Sequence, residues 1–158
     1  MSKDEGKNND KPEVVGPATQ SASPRSVDVG TAPVKVTFLG GLGEIGRNCA
    51  CIEVDGSILL IDCGIMFPDL DMLGIDLVLP DFTYLRENAD RIIGCIATHG
   101  HEDHVGGLSF LLRELSFPIY GTALTLGLAR NRIEEAGLLD RTQFIAVRDG
   151  ERRRIGPF

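Results

Sequence analysis

The sequence predicts an α/β domain behind a disordered tail, and three observations lead there. Two short apolar stretches flank the dipeptide Asp55-Gly56, the signature of a β-hairpin. Two further apolar runs, "IIGCIAT" and "FPIYG", are each followed by residues at helical spacing. The N-terminal stretch is rich in Lys, Asp, Asn, Ser, Pro and Gly and has no apolar period. The expected boundaries are a disordered tail over 1–32 and a domain segment over 33–158.

Taken in order, order begins where Val34, Val36 and Phe38 alternate with Lys35 and Thr37, a strand pattern. The glycine-rich "GGLGEIGRN" follows, then "CACIEV", again extended. Beyond the Asp55-Gly56 turn, "SILLID" reads as a buried strand ending at Asp62, so the opening strands are antiparallel neighbours. A long connection contains Pro68 and Pro80. "IIGCIAT" is the next strand, and Leu108, Leu111, Leu112 and Leu115 then fall at i, i+3, i+4 and i+7, one apolar face of a helix. "FPIYG" is a short strand, "TALTLGLARNRIEEAG" a helix with Gly137 as its C-terminal cap, and "TQFIAV" a last strand.

The bulk properties narrow the function classes. With 158 residues, 42% of them hydrophobic and 25% charged, the chain has a globular balance. Its net charge of −7 is not that of a nucleic-acid binder, whose phosphate contacts need Lys and Arg. A nucleic-acid role would require a local basic surface or help from elsewhere. No apolar run suffices to cross a bilayer, and the polar "MSKDEGKNNDKPE" lacks the pattern of a signal peptide. Cys49, Cys51, Cys63 and Cys95 show no CxxC spacing and read as buried thiols of a cytoplasmic protein.

All 3 histidines, His99, His101 and His104, fall within "THGHEDHVGG". Imidazole and carboxylate are the ligands of zinc and its borderline relatives. In a loop after a strand, His99 and His101 can converge on one ion, while Asp103 and His104 turn toward a second. Two ions so placed stabilise attacking and leaving oxygens. Casual histidines in a solvated loop would not explain why none occurs elsewhere.

The glycine segment offers a competing reading. Gly41-Leu-Gly43-Glu-Ile-Gly46 matches the dinucleotide-binding pattern and follows a strand. That site needs a helix starting at the glycines. Here the following residues alternate into Asp55-Gly56, leaving no room for a crossover helix. No dinucleotide is expected to bind.

His99-x-His101-x-Asp103-His104 after an apolar strand resembles the metallo-β-lactamase superfamily, whose fold is a four-layered αββα sandwich. "LLIDCG" is similar to that family's earlier acidic motif. "LGGLGEIGRN", "MLGIDLVLPDFTYLREN", "THGHEDHVGGLSFLL" and "PIYGTALTLGLARNRIEEAGLL" together resemble ribonuclease J, the branch that carries a β-CASP domain. The resemblance runs from about Val34 to the C-terminus. It implies zinc on His99 and His101, a second zinc on Asp103 and His104, and manganese as the alternative metal. Asp62 and Asp103 are the catalytic residues it implies, Asp62 as a hydrogen-bond acceptor that orients the metal loop. The plain reading of Asp62 is a strand-end aspartate capping a turn. A structural calcium near Gly74 and Asp76 is also implied, where an aspartate after glycine is ordinarily a turn. Glu44, Arg47 and Asn48 look like motif residues of undefined role. Arg47 suits either a phosphate or a surface salt bridge.

The family pattern needs further ligands beyond His104, a β-CASP domain and a C-terminal domain. The chain therefore reads as the first half of the sandwich, an N-terminal fragment of a longer ribonuclease J-like enzyme and inactive alone. The implied activity is hydrolysis of RNA, both 5′-to-3′ exonucleolytic and endonucleolytic. The implied partners are RNA, further copies in a homodimer or homotetramer, and an RNA-degradation complex. Alternatives are another hydrolase of the superfamily, such as a thioesterase, or a non-enzymatic metal-binding remnant.

Overall fold

A computed structural model describes residues 32–158. The expected disordered tail falls outside the described residues up to position 31. The strands are β1 (Lys35–Gly40), β2 (Cys49–Val54), β3 (Ser57–Ile61), β4 (Ile92–Ile96), β5 (Ile119–Gly121) and β6 (Phe144–Ala146). They form one six-stranded sheet in the order β1-β2-β3-β4-β5-β6. The first three run antiparallel, and β3 through β6 are mutually parallel. The helices are α1 (Thr83–Glu87), α2 (Glu102–Val105), α3 (Leu108–Leu111) and α4 (Ala123–Glu135). Among the described residues no helix is long and apolar enough to cross a membrane.

Local chemistry accounts for most boundaries. Asp55 and Gly56 both take positive φ, 47° and 77°, as a tight hairpin requires. The Thr122 hydroxyl accepts from the Thr125 amide at 3.2 Å and caps the start of α4, a bond whose loss costs about 1 kcal/mol. At the other end Gly137 sits at φ 70°, with Leu138 N–H bonded to Ile133 O and Gly137 N–H to Glu134 O. That pair of hydrogen bonds closes the helix in a Schellman motif. The glycine segment runs straight into β2 with no helix, so the dinucleotide geometry does not form.

One expectation needs correction. The run Leu108 to Leu115 is helical only over Leu108–Leu111, and turns follow. Its leucines still serve the core, because Leu108, Leu111 and Leu112 are buried. The apolar side of β1 faces outward: Val34, Val36 and Phe38 are 60%, 53% and 58% exposed.

Register explains why the two faces differ. Cys51, Leu60, Cys95, Ile119 and Phe144 form one row across the sheet. The first four of these are buried together with Leu85, Leu111, Leu126 and Ile133 from the helices. The opposite row runs Phe38, Ala50, Ile61, Ile96, Tyr120, Ile145, from exposed to half-buried. This second face is thus the less buried of the two. At the far edge Glu53 accepts from the Tyr84 hydroxyl at 2.7 Å and pairs with Arg91, tying the hairpin to the crossover.

All 4 cysteines are buried and free. Burial pushes the Cys51 thiol up to about 12. Cys63 is raised by its hydrogen bond with Cys49 and then by burial, and Cys95 by burial. Raised thiols contribute stability that is fully present below the ordinary value of about 8.5 and is lost as pH climbs toward the folded value. Native protein at pH 8 is therefore expected to leave all four thiols unreactive toward Ellman's reagent, with full reaction after urea unfolding. The urea midpoint should fall between about pH 8.5 and 12. Rapid labelling of the native chain would contradict this packing.

Candidate metal centre

The candidate residues sit at the C-terminal ends of the parallel strands. β3 ends at Ile61, and Asp62 then turns into the left-handed region at φ 61°. Aspartate tolerates that region better than most residues, yet such a conformation still costs on the order of 1–3 kcal/mol. It persists because Asp62 is held from three sides. Thr98 N–H donates to Oδ1 at 2.7 Å, and the Thr98 hydroxyl donates to Oδ2 at 2.7 Å. Nδ1 of His104 lies 2.8 Å from Oδ2. Asp62 is only 5% exposed, so these bonds replace the water it has lost.

β4 delivers the histidines. His99 and His101 follow in extended chain, and His101 opens α2 at ψ 150°. Asp103 and His104 lie on α2, so half of the expected loop is a helical turn. The three rings still gather: His99 is 3.9 Å from His104 and 4.6 Å from His101, centroid to centroid. Oδ2 of Asp103 is 3.5 Å from Nε2 of His104. Glu102, interleaved with them in sequence, turns away and binds Arg132 of α4 at 2.9 Å.

Backbone hydrogen bonds lace three chain segments around these side chains. Cys63 N–H bonds His104 O at 2.8 Å, Ile65 N–H bonds Glu102 O at 3.0 Å, and Asn48 N–H bonds Asp103 O at 2.9 Å. Gly64 lies where the segments touch. A Cβ there would fall on the Asp103 carbonyl and within 2.7 Å of the His104 nitrogen. Beside Asp103 opens a cleft of about 440 Å³, walled by Ile45, Met66, Phe67 and Asp69 among others.

The loop 41–48 closes over this arrangement. Glu44 accepts from Arg47 through both oxygens, at 2.6 and 2.8 Å, and from Gly41 N–H at 3.0 Å. The Arg47 guanidinium holds the Glu44 carboxyl below its usual range. Arg47 is thus engaged in a salt bridge, the second of its two expected roles. Gly74 takes φ 80° in a turn and Asp76 is exposed. Two contributors escaped the sequence reading: Thr98, whose hydroxyl directly precedes the histidine segment, and Asn48, whose motif was noticed without a role.

Residues 42–151 match the metallo-beta-lactamase superfamily. The chain belongs to that superfamily. It is 49% identical over 127 residues to ribonuclease J of Synechocystis sp., covering 80% of this chain and 20% of that protein. It is 49% identical over 107 residues to ribonuclease J2 of Bacillus subtilis, covering 68% and 19%. Ribonuclease J of Helicobacter pylori is 50% identical over 107 residues, covering 68% and 16%. The chain spans 20% or less of the length of these relatives. Among solved structures, the metallo-beta-lactamase fold protein YhfI from Bacillus subtilis shares the fold with a TM-score of 0.50 and 24% identity, over 79% of this chain and 50% of that one.

Membership of the superfamily implies a divalent metal. The donors fit one in kind: three imidazoles and a carboxylate, with Nδ1 of His104 already turned to Asp62 so that Nε2 faces Asp103. In number they are incomplete. Among the described residues no three His, Cys, Asp or Glu side chains converge into a metal cage.

Two substitutions test this construction. Gly64→Ala should destabilise the fold at or above the upper end of the roughly 1–3 kcal/mol range for overpacking, because backbone cannot give way. The urea midpoint measures it, and an unchanged midpoint would refute the close approach. Asp62→Asn removes the charged acceptor at constant shape. It should weaken zinc binding about 10- to 100-fold, read by competition with a chromogenic chelator.

Proposed function

We propose that this chain corresponds to the first part of the catalytic domain of a ribonuclease J-like enzyme that hydrolyses RNA phosphodiesters with divalent metal ions. The observation that carries the reading is the approach of His99 and Asp103 to the Asp62-bound imidazole of His104, with His101 beside His99, in a chain about half identical to proteins named ribonuclease J. His99 and His101 would hold one ion, and Asp103 and His104 the other, with zinc favoured by the ligand types. When bound, the ions supply Lewis-acid polarisation of the phosphate and a nucleophile at neutral pH.

The chain's own residues have defined tasks in this scheme. Asp62 keeps the His104 proton on Nδ1, which leaves Nε2 unprotonated as a ligand. Thr98 holds Asp62 through both of its oxygens. The acidic balance of the chain, −7, assigns the grip on RNA to basic surface outside this segment. Both exonucleolytic 5′-to-3′ and endonucleolytic cleavage are proposed.

In the longer enzyme carrying this segment, His101→Ala or Asp103→Ala should lower cleavage of 5′-monophosphorylated RNA by at least about a hundredfold, the scale of losing one electrostatic contributor to the transition state. Circular dichroism should stay unchanged and bound metal should fall in elemental analysis. Unaltered turnover by either variant would sink the assignment.

A further inference from the structure

We propose that Asn48 is a positioning residue of the metal centre, its side-chain amide holding the Asp103 carboxylate and Nε2 of His104 toward one point. The proposal rests on the metal-centre reading given above. Asn48 ends the loop 41–48, where its own backbone is fixed in both directions. Its N–H donates to Asp103 O at 2.9 Å, and its carbonyl accepts from Gly64 N–H at 2.9 Å. From that anchored position the side-chain nitrogen Nδ2 lies 3.0 Å from Asp103 O, 3.3 Å from Asp103 Oδ2 and 3.2 Å from His104 Nε2.

The chemistry fixes the roles. The Nδ1–H of His104 donates to the Asp62 carboxylate, so in the neutral ring Nε2 carries the lone pair and accepts. The atom of Asn48 that meets three acceptors must be the amide nitrogen, which fixes the orientation of the amide. The amide oxygen Oδ1 packs against Gly41, where an added Cβ would sit only 2.6 Å from it. Two hydrogens thus serve two acceptors on Asp103 and one on His104. An ion taking Nε2 as a ligand displaces only the last of these contacts. The Asp103 carboxylate, 39% exposed and 3.5 Å from Nε2, stays aimed by the amide. Tethering the loop does not need the side chain, because the two backbone bonds already do it. Beside its bond to the Asp103 carbonyl, the amide therefore adds contacts to two ligand atoms, Asp103 Oδ2 and His104 Nε2.

The test uses the 158-residue chain with nitrogen-15-labelled histidine, observed by NMR before and during titration with zinc chloride. Before zinc, Asn48→Ala should move the His104 Nε2 resonance downfield, toward an imidazole nitrogen that accepts no hydrogen bond, with His99 unmoved. During titration, the zinc affinity read at His104 should fall about tenfold. Asn48→Ser keeps a donor on a shorter arm and should fall between; it also replaces the alanine variant if that one does not fold. Backbone amide spectra of β4 to β6 report folding. An unmoved Nε2 resonance with equal zinc affinity in wild type and variants overturns the proposal. Wild-type histidines that ignore zinc overturn the metal reading instead, while the resonance measured before zinc still decides whether the amide holds Nε2.

Discussion

A buried carboxylate organises this molecule. Asp62 stands at the end of β3, almost wholly removed from water, in a backbone conformation that aspartate adopts at a cost. An ionised carboxylate in such a place is several kcal/mol unfavourable unless hydrogen bonds replace its solvent. Thr98 supplies two of those bonds and His104 the third. The bonds can form only if β4 ends beside β3 and α2 folds back over both. Satisfying Asp62 therefore dictates where the histidine segment lies, and the favourable bonds outweigh a left-handed residue costing on the order of 1–3 kcal/mol.

The surrounding backbone makes that arrangement rigid. Segments 47–48, 62–65 and 102–104 exchange hydrogen bonds as closely as strands do, although none of them belongs to the sheet. Such closeness leaves no space for a side chain at Gly64. Rigidity also comes from below, where Cys63, Val105 and Leu108 join the core that the helices bury against one face of the sheet. Site and core are continuous, so a change at the metal loop propagates into packing. The other sheet face carries the half-buried Ile61, Ile96 and Tyr120 and contributes little to this support.

Electrostatics around the centre are already balanced without substrate. Arg47 is bound to Glu44, and Arg132 to Glu102. These are partly exposed pairs and add little stability, at most about 1 kcal/mol each. Their larger effect is local neutralisation: each of these two arginines near the histidine segment is matched by a carboxylate.

Elements defined by nearest neighbours in the chain were readable from the residues alone. The Asp55-Gly56 hairpin, the strands on either side, the Thr122 to Gly137 helix and the histidine segment at a strand end all follow from turn chemistry, apolar period or ligand type. The leucine period at Leu108 to Leu115 gave the right buried residues and too long a helix, since burial is set by spacing while helix length depends on what the next turn packs against. The alternation in β1 indicated a strand and was silent about which face would be open. Asn48 and Thr98 carried no signal of their role, because an amide or a hydroxyl becomes a positioning group only through partners 36 to 56 residues away. Residue type and spacing determined which side chains stand as candidate ligands, and the long-range contacts of the folded chain decided how they are held, since hydrogen-bond direction and distance exist only once distant segments have met.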